Sequence, residues 1–163
     1  MKATLHLMVG LPGSGKTTYA KQLETDRSAV RFTPDEWQIK LFGDDTDHPE
    51  HDERHTAVEE IMWEFAQKLL KQNVSVILDF GFWSAEERLG LCKAAKAMQV
   101  NFEVHFLDVS KDELLRRVQL RNQREDEVSF TIQPHHMEEW ISVFEPVTAQ
   151  ERLQYNKILY SVE

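Results

Sequence analysis

The chain has 163 residues, of which 41% are hydrophobic and 29% are charged, and these values predict one globular domain with a buried core. Its 19 basic and 28 acidic residues give a formal net charge of −9, which argues against free nucleic acid as a general partner. No apolar stretch is long enough to cross a membrane. A single cysteine, Cys92, cannot form an internal disulfide, so we expect a cytoplasmic protein.

Secondary structure elements alternate along the sequence, beginning with an apolar strand over residues 4–9 that runs into a glycine-rich loop. A helix follows over residues 16–25 and a second strand over 29–33. Thr33-Pro34-Asp35-Glu36 then predicts a helix start, with Thr33 as the cap and proline at the first helical position. Residues 43–54 predict an acidic, histidine-rich loop, and residues 54–72 a long amphipathic helix.

The second half continues the alternation. The predicted elements are a strand over 74–80, a helix capped by Ser84 over 84–98, a strand over 102–109, a helix capped by Ser110, helices over 134–144 and 148–155, and a strand over 158–162. Five strands that alternate with helices predict an α/β sandwich around a mostly parallel sheet. No repeat or linker divides the chain, so residues 1–163 form one predicted domain.

The glycine-rich loop is a complete phosphate-binding motif, Gly10-Leu11-Pro12-Gly13-Ser14-Gly15-Lys16-Thr17. Its glycines allow backbone N–H groups to close around phosphate oxygens, and the helix that follows directs its positive end at the same anion. Lys16 is expected to reach the β- and γ-phosphates of ATP and Thr17 to ligate Mg²⁺. The predicted nucleotide-binding residues are Gly10, Pro12, Gly13, Ser14, Gly15, Lys16, Thr17 and Thr18.

Three carboxylates at strand ends are candidates for the rest of the site. Asp79 follows an apolar strand and is the candidate Mg²⁺ ligand, although such a residue can also cap the next turn. Asp108 is a weaker candidate. Asp35 follows the second strand, where a kinase needs a base for the attacking hydroxyl, but the dipole of its helix would favour an aspartate there equally.

Arginines recur on the helix that Ser110 caps. Arg117, Arg121 and Arg124 fall on one face, and Arg121 and Arg124 near its end are candidates for stabilising the transferred phosphoryl group. For Arg117 a solvated ion pair with Glu113 is the favoured interpretation.

The acidic segment and an aromatic cluster leave alternatives open. His48, His51 and His55 lie among carboxylates and could bind a metal, although an exposed or substrate-covering loop is favoured. Phe80, Phe82 and Trp83 are expected to pack in the core, and Trp83 could also line a substrate pocket.

Together the phosphate loop, the segment Thr33–Glu36, the strand ending at Asp79 and the arginine helix from Leu114 to Arg124 resemble small P-loop kinases related to polynucleotide kinase, chloramphenicol phosphotransferase and the zeta toxins. The resemblance implies a three-layer P-loop NTPase sandwich with a five-stranded sheet in the order 2-3-1-4-5. It also implies that Asp35 is the general base and that a lid around residues 121–132 carries arginines to the ATP phosphates.

We therefore expect a Mg²⁺- and ATP-dependent phosphotransferase whose acceptor is a small-molecule hydroxyl. Lys16, Asp35, Arg121 and Arg124 are the predicted catalytic residues, and Thr17 with Asp79 the predicted Mg²⁺ ligands. A nucleic-acid 5′-hydroxyl kinase and an ATPase or nucleotide switch without an acceptor are the alternatives. The sequence does not identify the acceptor, the oligomeric state or the preference between ATP and GTP.

Overall fold

A computed structural model of the chain describes residues 2–124 and 129–161, with backbone only for 158–161. The strands are β1 (Thr4–Val9), β2 (Val30–Phe32), β3 (Val76–Gly81), β4 (Asn101–Leu107) and β5 (Lys157–Ser161). The helices are α1 (Lys16–Arg27), α2 (Pro34–Phe42), α3 (His51–Lys71), α4 (Ala85–Ala97), α5 (Lys111–Asn122), α6 (Pro134–Val143) and α7 (Ala149–Arg152). Within these ranges, no helix combines the length and apolar character that crossing a membrane requires.

The strands form one parallel sheet in the order β2-β3-β1-β4-β5. Its first four strands have described side chains throughout, and β5 joins the edge through backbone pairing with β4. The predicted α/β architecture with a parallel sheet is confirmed. Because β1 lies at the centre, the loop that follows it opens at the middle of the carboxyl edge, which is where ligands bind in such sheets.

Successive side chains of the central strand β1 point to opposite faces of the sheet, and both faces are buried. Leu5, Leu7 and Val9 pack in the larger core, which also contains apolar residues of α3 and α4. Met8 faces the other way and packs with residues of α1, among them Ala20. Helices therefore cover both faces of the sheet, as the three-layer prediction required.

Two predicted boundaries differ in the structure. Helix α3 begins at His51, inside the segment predicted as a loop. The buried carboxylate of Asp45 stabilises this earlier start, because it bonds two side chains of the first turn, His51 Nδ1 at 2.8 Å and Arg54 Nη1 at 3.1 Å. The helix predicted over 148–155 is a single turn, Ala149–Arg152, with a capping box between Thr148 and Glu151.

A buried ion pair anchors that short turn to the body of the domain. Arg88 on α4 is fully buried and donates two bonds to the Glu151 carboxylate, at 2.8 and 2.9 Å, and a third to the Phe82 carbonyl at 2.9 Å. Tyr155 donates to the same carboxylate at 2.7 Å. Burial alone would raise the pKa of Glu151, but these hydrogen bonds lower it to about 2. The pair is therefore charged at neutral pH and fully hydrogen-bonded.

Candidate active site

The phosphate loop connects β1 to α1, as the sequence predicts. Gly13 and Gly15 have φ angles of +85° and +89°, which only glycine adopts without strain. A Cβ on Gly10 would lie 2.6 Å from Ser14 Oγ, so a side chain there would displace the loop. These glycines therefore make possible a closely wound backbone with its amides turned inward.

The start of α1 is suited to an anion. It has no side-chain cap and no acidic residue in its first turn, whereas α2, α4 and α5 all have acidic residues there. Lys16 is the first residue of α1, and Thr17 and Thr18 follow in the same turn. Ser14 Oγ is buried and has no hydrogen-bond partner in the described structure. Unpaired first-turn amides and a buried hydroxyl fit the phosphate chain of a nucleotide.

Thr17, in the first turn of α1, contacts Asp79 near the carboxyl end of β3. Thr17 Oγ1 donates a 2.6 Å hydrogen bond to Asp79 Oδ2, across 62 positions of sequence. Asp79 is buried, and its other oxygen, Oδ1, has no hydrogen-bond partner among the described residues. A hydroxyl beside a carboxylate with an unused oxygen fits the Mg²⁺ of a nucleotide complex.

The charge of Asp79 is not fully compensated within the chain. Burial raises the pKa of this carboxyl, and the nearby charge of Asp35 raises it further, while the Lys16 ammonium and the hydrogen bonds from Thr17 and Thr33 act in the opposite direction. The net shift is upward. Such a carboxylate is stabilised when a cation binds beside it, because the cation supplies the missing charge. Thr17 and Asp79 would hold Mg²⁺, which would neutralise phosphate charge.

Thr33 has a different role from the one that its sequence context predicts. Helix α2 does begin at Pro34, but the Thr33 side chain makes no capping bond. Its hydroxyl instead donates to Asp79 Oδ2 at 3.0 Å and accepts a hydrogen bond from Arg31 Nη1. Arg31 is itself bound by Glu24 and Glu36, each at 3.1 Å. Thr33 is thus the residue at the predicted cap position, but its side chain does not cap the helix. Sequence reasoning missed the contacts that Thr33 and Arg31 make near Asp79.

Asp35 lies in the first turn of α2, just beyond the carboxyl end of β2, and its side chain is 55% exposed. His55 Nδ1 on α3 is 3.9 Å from Asp35 Oδ1, and His55 Nε2 is 3.2 Å from Glu59. Burial alone would lower the pKa of His55, but Glu59, Asp35 and Asp52 raise it. An exposed carboxylate on α2 and an imidazole on α3 therefore lie together, and the carboxylate is near enough to Asp79 for its charge to raise the pKa of Asp79.

The arginines of α5 lie at different places. Arg117 pairs with Glu113 at 2.7 Å, as predicted, yet its Nη1 is also 3.9 Å from the position of a Cβ on Gly15. It therefore lies beside the phosphate loop, which the interpretation as a solvated pair did not anticipate. Arg121 Nη2 donates to the Phe130 carbonyl at 3.4 Å, and Arg124 is exposed.

The predicted lid around 121–132 is described only in part, because residues 125–128 lie outside the described ranges. Asn122 Nδ2 donates to the Ile132 carbonyl at 2.7 Å, and its Oδ1 accepts from the Ile132 amide at 3.3 Å. Thr131 N donates to Asp44 Oδ2 at 3.3 Å, and the Phe130 ring stands edge-on to His51 at 5.0 Å. The end of this segment thus contacts the acidic segment between α2 and α3.

The remaining candidates have other surroundings. His51 Nδ1 bonds Asp45 and His55 Nδ1 contacts Gln38 Oε1 at 2.7 Å, so both imidazoles are engaged within the fold. Asp108 is exposed and lines a cavity of about 180 Å³ whose lining includes neither Asp35 nor Asp79. Trp83 packs against Trp140, with ring centroids 5.6 Å apart, in an apolar cluster.

Comparison with solved structures shows that the chain shares its fold with several known proteins. Kti12 of Chaetomium thermophilum, solved with ADP-AlF3, superposes with a TM-score of 0.70 at 21% identity, covering 96% of this chain and 88% of Kti12. A sugar kinase from Janibacter sp. gives 0.66 at 16% identity, covering 98% and 86% of the two chains. A fungal RNA kinase gives 0.64 at 12% identity, covering 98% of this chain but 38% of its own.

Comparison of the sequence with curated proteins gave no match. The family model of the AAA domain matches residues 5–147, from the second residue of β1 to beyond α6. This range contains the phosphate loop, Asp79, and the candidates on α2 and α5, which are Asp35, Arg117, Arg121 and Arg124. The chain therefore belongs to the AAA domain family of P-loop proteins.

Proposed function

We propose that the protein transfers the γ-phosphoryl group of ATP, with Mg²⁺, to a hydroxyl group of a small molecule. The observation that carries this proposal is the contact between Thr17 Oγ1 and Asp79 Oδ2, because it joins the phosphate loop to a buried carboxylate with an unused oxygen. That pair fits a nucleotide-bound Mg²⁺. The shared fold with a sugar kinase and an RNA kinase supports the same reaction class.

Each side chain then has a defined task. Lys16 and the amides of the loop bind the β- and γ-phosphates, and Arg117 lies where a guanidinium can neutralise charge on the transferred group. Asp35 accepts the proton of the acceptor hydroxyl while the oxygen of that hydroxyl forms a bond to the γ-phosphorus. The bond between the γ-phosphorus and the ADP oxygen breaks in the same step. Arg121 and Arg124 add positive charge on the same side of α5.

The acceptor side favours a neutral or cationic small molecule over a polyanion. The negative charges of Asp35, Asp52 and Glu59 all act on His55, and the Asp44 carboxylate lies at the contact with Thr131. A nucleic acid would bring its phosphates toward these carboxylates and be repelled. Sugars, nucleosides and aminoglycoside-type antibiotics offer hydroxyl groups without that penalty.

The test is a transfer assay with γ-labelled ATP and Mg²⁺ against sugars, nucleosides, antibiotics and 5′-hydroxyl oligonucleotides. We expect labelling of a small-molecule hydroxyl. Asp35→Asn should slow transfer by about 10²-fold or more, since a positioned base contributes on that scale. The same variant should keep the thermal stabilisation by Mg²⁺-ATP, because Asp35 does not bind the nucleotide. Asp108→Asn, which removes another exposed strand-end carboxylate, is the matched control.

Three outcomes would contradict the proposal in different ways. Equal transfer by Asp35→Asn and the wild type would remove Asp35 as the base. Labelling confined to oligonucleotides, with a steep dependence on salt, would identify a nucleic-acid kinase. ATP hydrolysis that no acceptor changes, coupled to a protein contact, would identify a nucleotide switch.

A further inference from the structure

Two histidines and a glutamate meet on the α1 side of the sheet, away from the catalytic residues discussed above. His6 on β1 is paired with Glu103 on β4, and His105 lies two positions further along β4. Because side chains two positions apart share a face, all three point to the same side of the sheet. His6 and His105 are buried, and the Glu103 side chain is 14% exposed.

The three inward atoms form a small triangle. His6 Nδ1 is 3.1 Å from His105 Nε2 and 3.4 Å from Glu103 Oε2. The distance between His105 Nε2 and Glu103 Oε2 is 3.8 Å. The centre of this triangle lies about 2.0 Å from each atom, which matches the length of Zn–N and Zn–O bonds. Among the described residues this is the one cluster of three such side chains that could hold a metal ion.

The carboxylate beside the two imidazoles is not satisfied within the described structure. Glu103 Oε2 is buried and has no hydrogen-bond partner there, although it lies 3.4 Å from His6 Nδ1 and 3.8 Å from His105 Nε2. Each of these ring nitrogens offers a lone pair in one of its two tautomers. A bound cation would satisfy the carboxylate oxygen and both nitrogens together.

The surroundings include an outer partner of the kind that orients a ligating histidine. Tyr19 on α1 has its hydroxyl 3.3 Å from His105 Nδ1, so the ring nitrogen that points away from the triangle can donate to it. This contact would fix the tautomer that leaves Nε2 free to ligate. The partly exposed Glu103 gives an ion a route from solvent to an otherwise closed pocket.

We propose that His6, Glu103 and His105 bind a divalent transition-metal ion of the zinc class. Two imidazoles and one carboxylate suit Zn²⁺ or Co²⁺, whereas the oxygen pair of Thr17 and Asp79 suits Mg²⁺. The site joins the central strand β1, four residues before the phosphate loop, to its neighbour β4. It is separate from the proposed phosphotransfer chemistry and does not depend on it.

The experiment titrates Zn²⁺ and Co²⁺ into the metal-free full chain without nucleotide, by calorimetry and by the visible absorption of bound Co²⁺. We expect one ion per chain and a rise in the unfolding temperature with Zn²⁺. Glu103→Gln should weaken the affinity at least about tenfold, and Tyr19→Phe should weaken it by about 10- to 100-fold while sparing every ligand. His105→Asn should abolish binding.

The matched control is the double variant His135→Asn/His136→Asn, which removes the other adjacent pair of imidazoles, with ring centroids 4.1 Å apart. It should bind Zn²⁺ like the wild type. Stabilisation by Mg²⁺-ATP in Glu103→Gln and Tyr19→Phe would show that these variants are folded. Absence of a stoichiometric ion in the wild type, unchanged binding in Glu103→Gln, or loss of binding in the control would each overturn the proposal and leave a hydrogen-bonded polar cluster.

Discussion

The hydroxyl of Thr17 and the carboxylate of Asp79 are 2.6 Å apart and are joined by a hydrogen bond that the hydroxyl donates. Thr33 donates to the same oxygen, Asp79 Oδ2, from the end of β2. Three neighbouring chain segments thus converge on one buried oxygen and leave the other, Oδ1, available. Two hydrogen bonds thus fix the orientation of the carboxylate that we propose as a Mg²⁺ ligand.

Asp79→Asn should separate folding from metal binding. Asparagine keeps an oxygen that accepts from Thr17 and Thr33, and it removes a buried charge whose carboxyl pKa is raised by burial. We expect the ligand-free variant to gain about 1 kcal/mol in the free energy of unfolding. It should lose most of the roughly 2.7 kcal/mol that Mg²⁺-ATP adds at 100 times its Kd. Thermal unfolding with and without Mg²⁺-ATP measures both; full stabilisation by the ligand would exclude Asp79 from the site.

Thr33→Val should weaken the same site because it removes a hydrogen bond to the Asp79 carboxylate. The substitution removes the bond to Asp79 but no helix cap, since Thr33 makes none. We expect the Mg²⁺ concentration for half-maximal transfer to rise roughly tenfold and the free energy of unfolding to fall by about 1 kcal/mol. Thr33→Ser keeps the hydroxyl and should behave like the wild type. If serine and valine have the same effect, the hydroxyl has no role in metal binding.

Arg117→Ala should reduce the rate of phosphoryl transfer more than Arg116→Ala does. Arg116 and Arg117 both pair with Glu113 at 2.7 Å, but the structure brings only Arg117 close to Gly15. A guanidinium that neutralises transferring phosphate contributes on the order of 10³ in rate, so we expect a loss of about 10²- to 10³-fold in kcat. Arg116→Ala, at an exposed position, should leave kcat within about twofold of the wild type. Equal effects in the two variants would show that Arg117 acts only through the ion pair.

The Arg88–Glu151 pair should make stability sensitive to acid. The pKa of Glu151 is about 2 in the folded chain against 4.5 for the ordinary group, so the folded state favours the charged form. The stability from this group is complete above about pH 4.5 and is lost as the pH falls toward 2. Glu151→Gln should cost about 3 kcal/mol at pH 7 because it leaves Arg88 buried without its counter-charge.

Urea unfolding of this variant between pH 7 and pH 3 is the measurement. The difference from the wild type should shrink as the pH falls, whereas Glu138→Gln, an exposed carboxylate on α6, should match the wild type throughout. A constant difference across the pH range would show that Glu151 acts through packing and not through its charge.

Local patterns were enough to predict the strand, loop and helix around Lys16, because glycines, apolar alternation and caps act within a few residues. The role of Thr33 could not be predicted in this way. Phe32 on β2 is paired with Leu78 on β3, which places Thr33 beside Asp79, 46 positions away in sequence. A proline-flanked threonine predicts a cap, and only the strand register shows that the hydroxyl is used elsewhere.

The same limit applies to Arg117 and to the histidine cluster. The spacing to Glu113 predicts an ion pair correctly but carries no information on the distance to Gly15, which depends on how α5 packs against the phosphate loop. His6 and Glu103 are widely separated in sequence and meet through the pairing of β1 with β4. The metal hypothesis was attached instead to His48, His51 and His55, at the start of α3 and just before it, because these histidines are close in sequence.

The close approach of Gly13 to α5 limits which residue the loop can hold at this position. A Cβ on Gly13 would lie 3.0 Å from Val118 Cγ2 and 3.2 Å from the Leu114 carbonyl, so loop backbone and helix are already in contact. The arginine helix therefore packs directly on the phosphate loop, with Arg117 Cβ 3.7 Å from the same position. A residue larger than glycine at position 13 would push α5, and Arg117 with it, away from the loop.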